Sequence, residues 1–137
     1  MDADLDLTAR LTDDGLAFLA ERHIGTAATL RRDGTPHLTP VGFTVDLATS
    51  TAWIITDGGS AKARHARADG RIAVSQTDGA RWLTLEGTAT VYDDADHVAA
   101  SCERYTARYR TPRENATRVT IGIRITKVLG SSGVVRR

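Results

Sequence analysis

Residues 54–69 read Ile54-Ile55-Thr56-Asp57-Gly58-Gly59-Ser60-Ala61-Lys62-Ala63-Arg64-His65-Ala66-Arg67-Ala68-Asp69. A β-branched run passes through two glycines into a serine, and alanines interleaved with bases follow. This order predicts a strand, a tight turn and a helix opening at Ser60. The first N–H groups of such a helix lack intrahelical partners, and its macrodipole favours negative charge there. Lys62 and Arg64 in the first turns add cationic groups, so Gly59, Ser60, Lys62 and Arg64 form a candidate phosphate site. A phosphorylated cofactor is the expectation that follows.

Outward from this segment the pattern is mostly β. The strand covers 51–57, the helix 60–69 is closed by Gly70, and further strands cover 71–77 and 81–92. Upstream, 25–31 and 36–46 form a hairpin around Asp33-Gly34, with Val41, Phe43 and Val45 alternating with smaller or polar neighbours. Pro40 lacks a ladder donor, which places it at an edge or bulge and leaves nearby backbone groups free for a ligand. Residues 1–10 are acidic and unpatterned, a loose tail. Thr12 then caps a helix that ends at Gly25, with Leu16, Leu19, Ala20 and His23 on one stripe and Leu11–Leu16 as a staple.

Downstream, Asp93 and Asp94 open a helix with Val98, Cys102, Tyr105 and Tyr109 on one face and Pro112 just beyond its end. Residues 117–128 give the clearest strand, where Val119, Ile121, Ile123 and Ile125 alternate with Arg118, Thr120, Arg124 and Thr126. Strands in hairpin order with flanking helices predict an α+β fold: a six-stranded antiparallel barrel with two or three peripheral helices, in a single domain over 11–137.

The 137 residues suit one core, and 18 Lys plus Arg against 17 Asp plus Glu leave a formal charge of +1. No broad cationic field announces nucleic acid, and no apolar run approaches the roughly 20 residues of a membrane span. Cys102 is the lone cysteine and no leader pattern opens the chain, so a cytoplasmic location is expected.

Acid–base chemistry finds little support. His23, His37 and His65 carry no metal-ligand spacing, so no metal is expected, and no Ser-His-Asp order has local support. Cys102 falls on an apolar stripe and reads as a buried, inert thiol, and Trp53 and Trp82 read as core aromatics. The stretch 104–110, Arg-Tyr-Thr-Ala-Arg-Tyr-Arg, interleaves aromatics with bases, but helical spacing explains it as ordinary amphipathic design.

The order helix, hairpin around Pro36-His37-Leu38-Thr39-Pro40-Val41-Gly42-Phe43, strand, Gly58-Gly59-Ser60-Ala61-Lys62-Ala63-Arg64-His65-Ala66, strand, and Ala80-Arg81-Trp82-Leu83-Thr84-Leu85-Glu86-Gly87-Thr88-Ala89 resembles the pyridoxamine-phosphate-oxidase-like split β-barrel family. The Ser-x-Lys-x-Arg element and the Asp78-to-Leu83 run look most like its deazaflavin-dependent reductases, the biliverdin reductases among them. The resemblance implies a homodimer with coenzyme F420 bound at the subunit interface and Lys62 on its phosphate. It further implies contacts from Thr56, Ser60 and Ala61 around the phosphate, and from the backbone of Thr39, Pro40, Val41 and Gly42 to the ring system. Gln76 and Trp82 match the region that a neighbouring strand or the partner subunit presents to the ring. His65 stands where many relatives carry Asn.

The reaction so implied is hydride transfer to a conjugated small-molecule acceptor such as the linear tetrapyrrole biliverdin, with the cofactor supplying the chemistry. Arg81, or Arg31 or Arg32, would meet acceptor carboxylates by residue type. Two alternatives share the barrel: an FMN-dependent oxidase or reductase, and a non-catalytic flavin-, deazaflavin- or haem-binding protein.

Overall fold

A computed structural model describes residues 5–137. Its order is α1 (Leu7–Arg10), α2 (Asp13–Ala20), β1 (Gly25–Leu30), β2 (Pro36–Val41), β3 (Phe43–Asp46), β4 (Thr51–Asp57), α3 (Ala61–Ala68), β5 (Arg71–Asp78), β6 (Arg81–Tyr92), α4 (Ala95–Arg108) and β7 (Arg118–Gly130). The strands form one curled antiparallel sheet in the order β2-β1-β5-β6-β7-β4-β3.

The expected six strands are seven, because the run 36–46 breaks at Gly42. Residues 36–41 pair with β1 at one sheet edge, and residues 43–46 pair with β4 at the other. The chain therefore passes from one edge of the curled sheet to the other at a single glycine. A Cβ on Gly42 would lie 3.0 Å from the Tyr105 ring and 3.2 Å from the Tyr109 ring, so α4 closes tightly over this corner. Pro40 does lie on an edge strand, opposite Thr26, as its missing donor requires.

Four helices rather than two or three are present among the described residues. Of the segment 1–10 expected to be loose, residues 1–4 lie outside the described residues. Residues 7–10 instead form α1, because Leu7 is fully buried and its N–H donates to Ser50 Oγ at 2.8 Å. Thr12 caps α2 as expected, its hydroxyl oxygen accepting from the Gly15 N–H. That helix stops at Ala20, short of His23, and buries Gly15, Phe18 and Leu19 while Ala20 stays exposed.

Inside the curl, Ile121, Ile123 and Ile125 of β7 meet Ile54, Val74, Leu83, Leu85 and Phe43, and Val119 is buried beyond them on the same strand. Thr120, expected on the solvent face, is buried because α4 covers that side. Its hydroxyl donates to the Ile54 carbonyl and shares a second hydrogen bond with the Ser101 hydroxyl, satisfying a polar group at the helix–sheet contact.

Candidate functional site

A cleft of about 660 Å³ opens where the Gly42 corner, the end of β4, the start of α3 and the connection from α4 to β7 converge. β2 and its corner contribute Pro40, Val41 and Gly42, and β4 contributes Ile55, Thr56 and Asp57. α3 contributes Lys62, α4 contributes Tyr105, and the last wall is Arg110, Thr111, Pro112, Arg113, Asn115 and Arg118. As the sheet edge, β2 turns alternate backbone groups away from β1, toward whatever lies beside it.

The junction between β4 and α3 is built as its residue types demand. Ser60 is the helix cap: its Oγ accepts from the Ala63 N–H at 3.3 Å and from the Thr56 hydroxyl at 2.9 Å. Lys62 is half-buried in the cleft wall, and burial lowers its pKa below the ordinary lysine range. Asp57 ties the junction to the facing wall, because its carboxylate accepts from Thr117 Oγ1, from the Gly59 N–H at 2.8 Å and from Asn115 Nδ2 at 3.3 Å. These bonds, that from Thr117 first, hold its pKa below the usual carboxylate range.

Four cationic side chains, Lys62, Arg110, Arg113 and Arg118, thus share the cleft with one carboxylate. Arg118 is braced by the Arg113 carbonyl, while Arg110 and Arg113 are exposed and have no ion-pair partner among the described residues. The arrangement can bind an extended anion. It offers no paired acid and base, since its one carboxylate is committed to three donors.

The structure brings Pro40, Val41, Gly42, Thr56 and Lys62 together at the cleft, with Gly59, Ser60 and Ala61 in the adjoining turn and Thr39 next along β2. Arg64 points elsewhere, donating to the Gly59 carbonyl at 2.6 Å, while Arg67 donates to the Gly58 carbonyl at 2.9 Å. These two bases brace the glycine turn. Gln76 is 2 % exposed with its amide spent on the Phe18 carbonyl and on Arg108, so within this chain it does not reach the cleft. Trp82 is 38 % exposed on β6, and Arg81 pairs with Glu21 and Asp78 over the Phe18 ring, also away from the cleft. Glu21, His23 and Asp78 bring three ligand-type atoms within 4.8 Å of one another, but that group is already met by the Arg81 guanidinium.

Sequence reasoning missed Tyr105, Arg110, Arg113, Asn115 and Arg118. Their only signal was a dense run of arginines around Pro112, and residue type alone does not distinguish a solvated base from one lining a cleft. Cys102, expected to be buried, is only partly so, with its Sγ 3.9 Å from Arg118 Nη1.

The pattern of the pyridoxamine 5'-phosphate oxidase family matches residues 11–132. An F420H2-dependent biliverdin reductase of Mycobacterium tuberculosis is 51 % identical over 135 residues, covering 98 % of each chain. Among solved structures, a conserved hypothetical protein of Mycobacterium tuberculosis superposes with a TM-score of 0.74 at 24 % identity, over 87 % of this chain and 83 % of the other. A structure described as F420 reductase superposes at 0.66 with 25 % identity, over 82 % of this chain and 94 % of the other. With the family pattern running from α2 through β7 and a relative half identical over nearly the whole chain, this chain belongs to the pyridoxamine 5'-phosphate oxidase family.

Proposed function

We propose that the protein is an F420H2-dependent reductase of the split-barrel type, transferring a hydride to a conjugated organic acceptor, with biliverdin the foremost candidate. The observation that carries this reading is the convergence of Lys62, the Ser60-capped junction and the β2 edge at Gly42 in one cationic cleft, in a chain half identical to a biliverdin reductase over nearly its whole length. When bound, the reduced deazaflavin supplies the hydride, so the protein has to position two partners rather than activate a nucleophile.

Each residue then has a definable task. Lys62 meets the cofactor phosphate, and the hydroxyl pair Thr56–Ser60 holds the junction that aims it. The backbone of Thr39 to Gly42 borders the ring, with Tyr105 closing the corner. Arg110 and Arg113 meet the further negative charge of the F420 tail, charge that FMN lacks, which favours F420 over FMN in this cleft. Asp57, held ionised by its three donors, is no proton donor at neutral pH, so the proton that completes reduction of the acceptor comes from solvent.

A homodimer accompanies this reading. Gln76, Trp82 and Arg81 lie outside the chain's own cleft, and a second copy is what would bring such groups to a cofactor. The single, unpaired Cys102 suits a reducing compartment such as the cytoplasm.

Titration of F420 and FMN into wild type and Lys62→Ala tests the site. Loss of one charge-assisted hydrogen bond predicts roughly tenfold or greater weakening of F420 binding. Equal affinity in the two proteins would remove the assignment. Mixing the protein with reduced F420 and biliverdin then tests the reaction by absorbance. Saturable F420 binding without turnover of any acceptor would instead mark a carrier.

A further inference from the structure

A second cleft, of about 560 Å³, lies between α4 and the strands β4, β6 and β7, and shares no residue with the cationic cleft. One wall is aromatic. Tyr92 and His97 stack with ring centres 4.0 Å apart and planes 13° from parallel, and Trp53 lies 5.7 Å from Tyr92 and 6.0 Å from His97. Gly122 lets them close up, since a Cβ there would meet the Trp53 ring at 2.8 Å and the Tyr92 ring at 3.1 Å. His97 is fixed by Asp94, whose Oδ2 lies 2.8 Å from its Nδ1.

Two guanidinium groups join this wall. Arg104 sits 4.9 Å above the Trp53 ring, and its contact with Asp46 is long, at 3.9 Å. Arg124 is exposed and has no ion-pair partner among the described residues. The register sets their spacing: Gly122 stands opposite Trp53 and Thr90, and Arg124 opposite Thr51 and Thr88. Arg124 is therefore two residues, roughly 7 Å, further along the same face as the aromatic wall. The Trp53 indole N–H has no acceptor among the described residues. Packing α4 onto the sheet accounts for the aromatic contacts, but requires neither a cleft of this size nor two weakly matched guanidinium groups at its edge.

We infer that this cleft is a second ligand site, taking a planar conjugated carboxylate. The ligand's ring system lies against Trp53, Tyr92 and His97, and its carboxylate meets Arg104 and Arg124. The site is argued independently of the F420 reading, since the two clefts share no lining residue.

The two tryptophans give two indole N–H resonances in a ¹⁵N correlation spectrum, and Trp53→Phe identifies the one from this cleft. Titration with 2-naphthoate as the probe is expected to shift the Trp53 resonance saturably. Arg124→Gln, an exposed substitution, weakens that binding about tenfold, the value of one arginine–carboxylate contact. Neutral 2-naphthamide binds more weakly by a similar factor, and Lys62→Ala leaves naphthoate binding unchanged. No saturable shift at millimolar naphthoate, an unchanged affinity in Arg124→Gln, or loss of binding in Lys62→Ala would each overturn the assignment.

Discussion

Lys62 sits under opposing demands. Burial in the ligand-free cleft disfavours its charge and lowers its pKa, whereas an anion laid against it raises the pKa again. In the alkaline window between the lowered folded value and the ordinary lysine value, the unfolded chain binds more protons than the folded one. Stability of the ligand-free protein therefore rises with pH in that window as far as Lys62 contributes. Anion binding takes up a proton there, so F420 affinity is expected to fall as pH climbs, beginning below the ordinary lysine range. Binding titrations across neutral to alkaline pH check this, and Lys62→Met should flatten the profile. Lys62 was legible because position and type coincide: a base two residues past a helix cap, beside a strand end. Arg64 has the same charge two residues on, but its guanidinium satisfies the Gly59 carbonyl, a local competition that spacing does not reveal. Gly42 shows the converse, a residue of no chemical promise on which the site turns. Replacing it with valine forces side-chain atoms into the Tyr105 and Tyr109 rings. Gly42→Val is expected to cost about 1–3 kcal/mol in a denaturant melt and to weaken F420 binding at the displaced corner.

At the scale of elements, alternation located the strands well, and the ends of β1, β4, β5 and β6 fall within one residue of expectation. It failed where two partners share one run. Residues 36–46 keep a strand pattern throughout, so nothing local marks the change of pairing partner from β1 to β4. What fixes that change is α4, whose amphipathic face was legible but whose anchor was not. Arg108 donates to the Glu21 carbonyl at 2.8 Å, the Phe43 carbonyl at 2.6 Å and Gln76 Oε1 at 2.7 Å. The single hydroxyl proton of Tyr109 is shared between the His23 and Phe43 carbonyls, which lie at 2.8 and 2.9 Å. A half-buried arginine with only neutral acceptors is costly to hold, and burial lowers its pKa, so its work is to join α4 to β3, β5 and the α2–β1 connection. That anchor also sets where the arginines beyond Tyr109 stand. Arg108→Met strands three acceptors and is expected to destabilise the fold by roughly 2–4 kcal/mol. Tyr109→Phe is expected to cost about 1 kcal/mol. Urea midpoints at unchanged m-value check both.

Across the whole molecule, a formal charge of +1 conceals a cleft where four bases meet one acid, because net charge averages over the surface while binding depends on convergence. The sheet face turned away from the core raises a further question. Leu38, Ala28 and Ala73 stand in one row across β2, β1 and β5, and Pro40, Thr26 and Ser75 stand in the next. Leu38 is 67 % exposed, and its neighbours are small, where a solvent-facing sheet ordinarily carries long polar side chains. A face of small residues of this kind suits a second copy of the chain, and it borders the Pro40–Gly42 edge of the cationic cleft. Pairing there would explain why Gln76, Trp82 and Arg81 lie outside their own chain's cleft. Wild type is therefore expected to sediment as a dimer. Leu38→Arg places like charges across the two-fold contact and should yield a monomer with weakened F420 binding, while its melting temperature in the absence of cofactor separates lost pairing from lost folding. A wild-type protein that sediments as a monomer while binding F420 at full strength would show that one chain completes the site alone, and the small-residue face would then need another explanation.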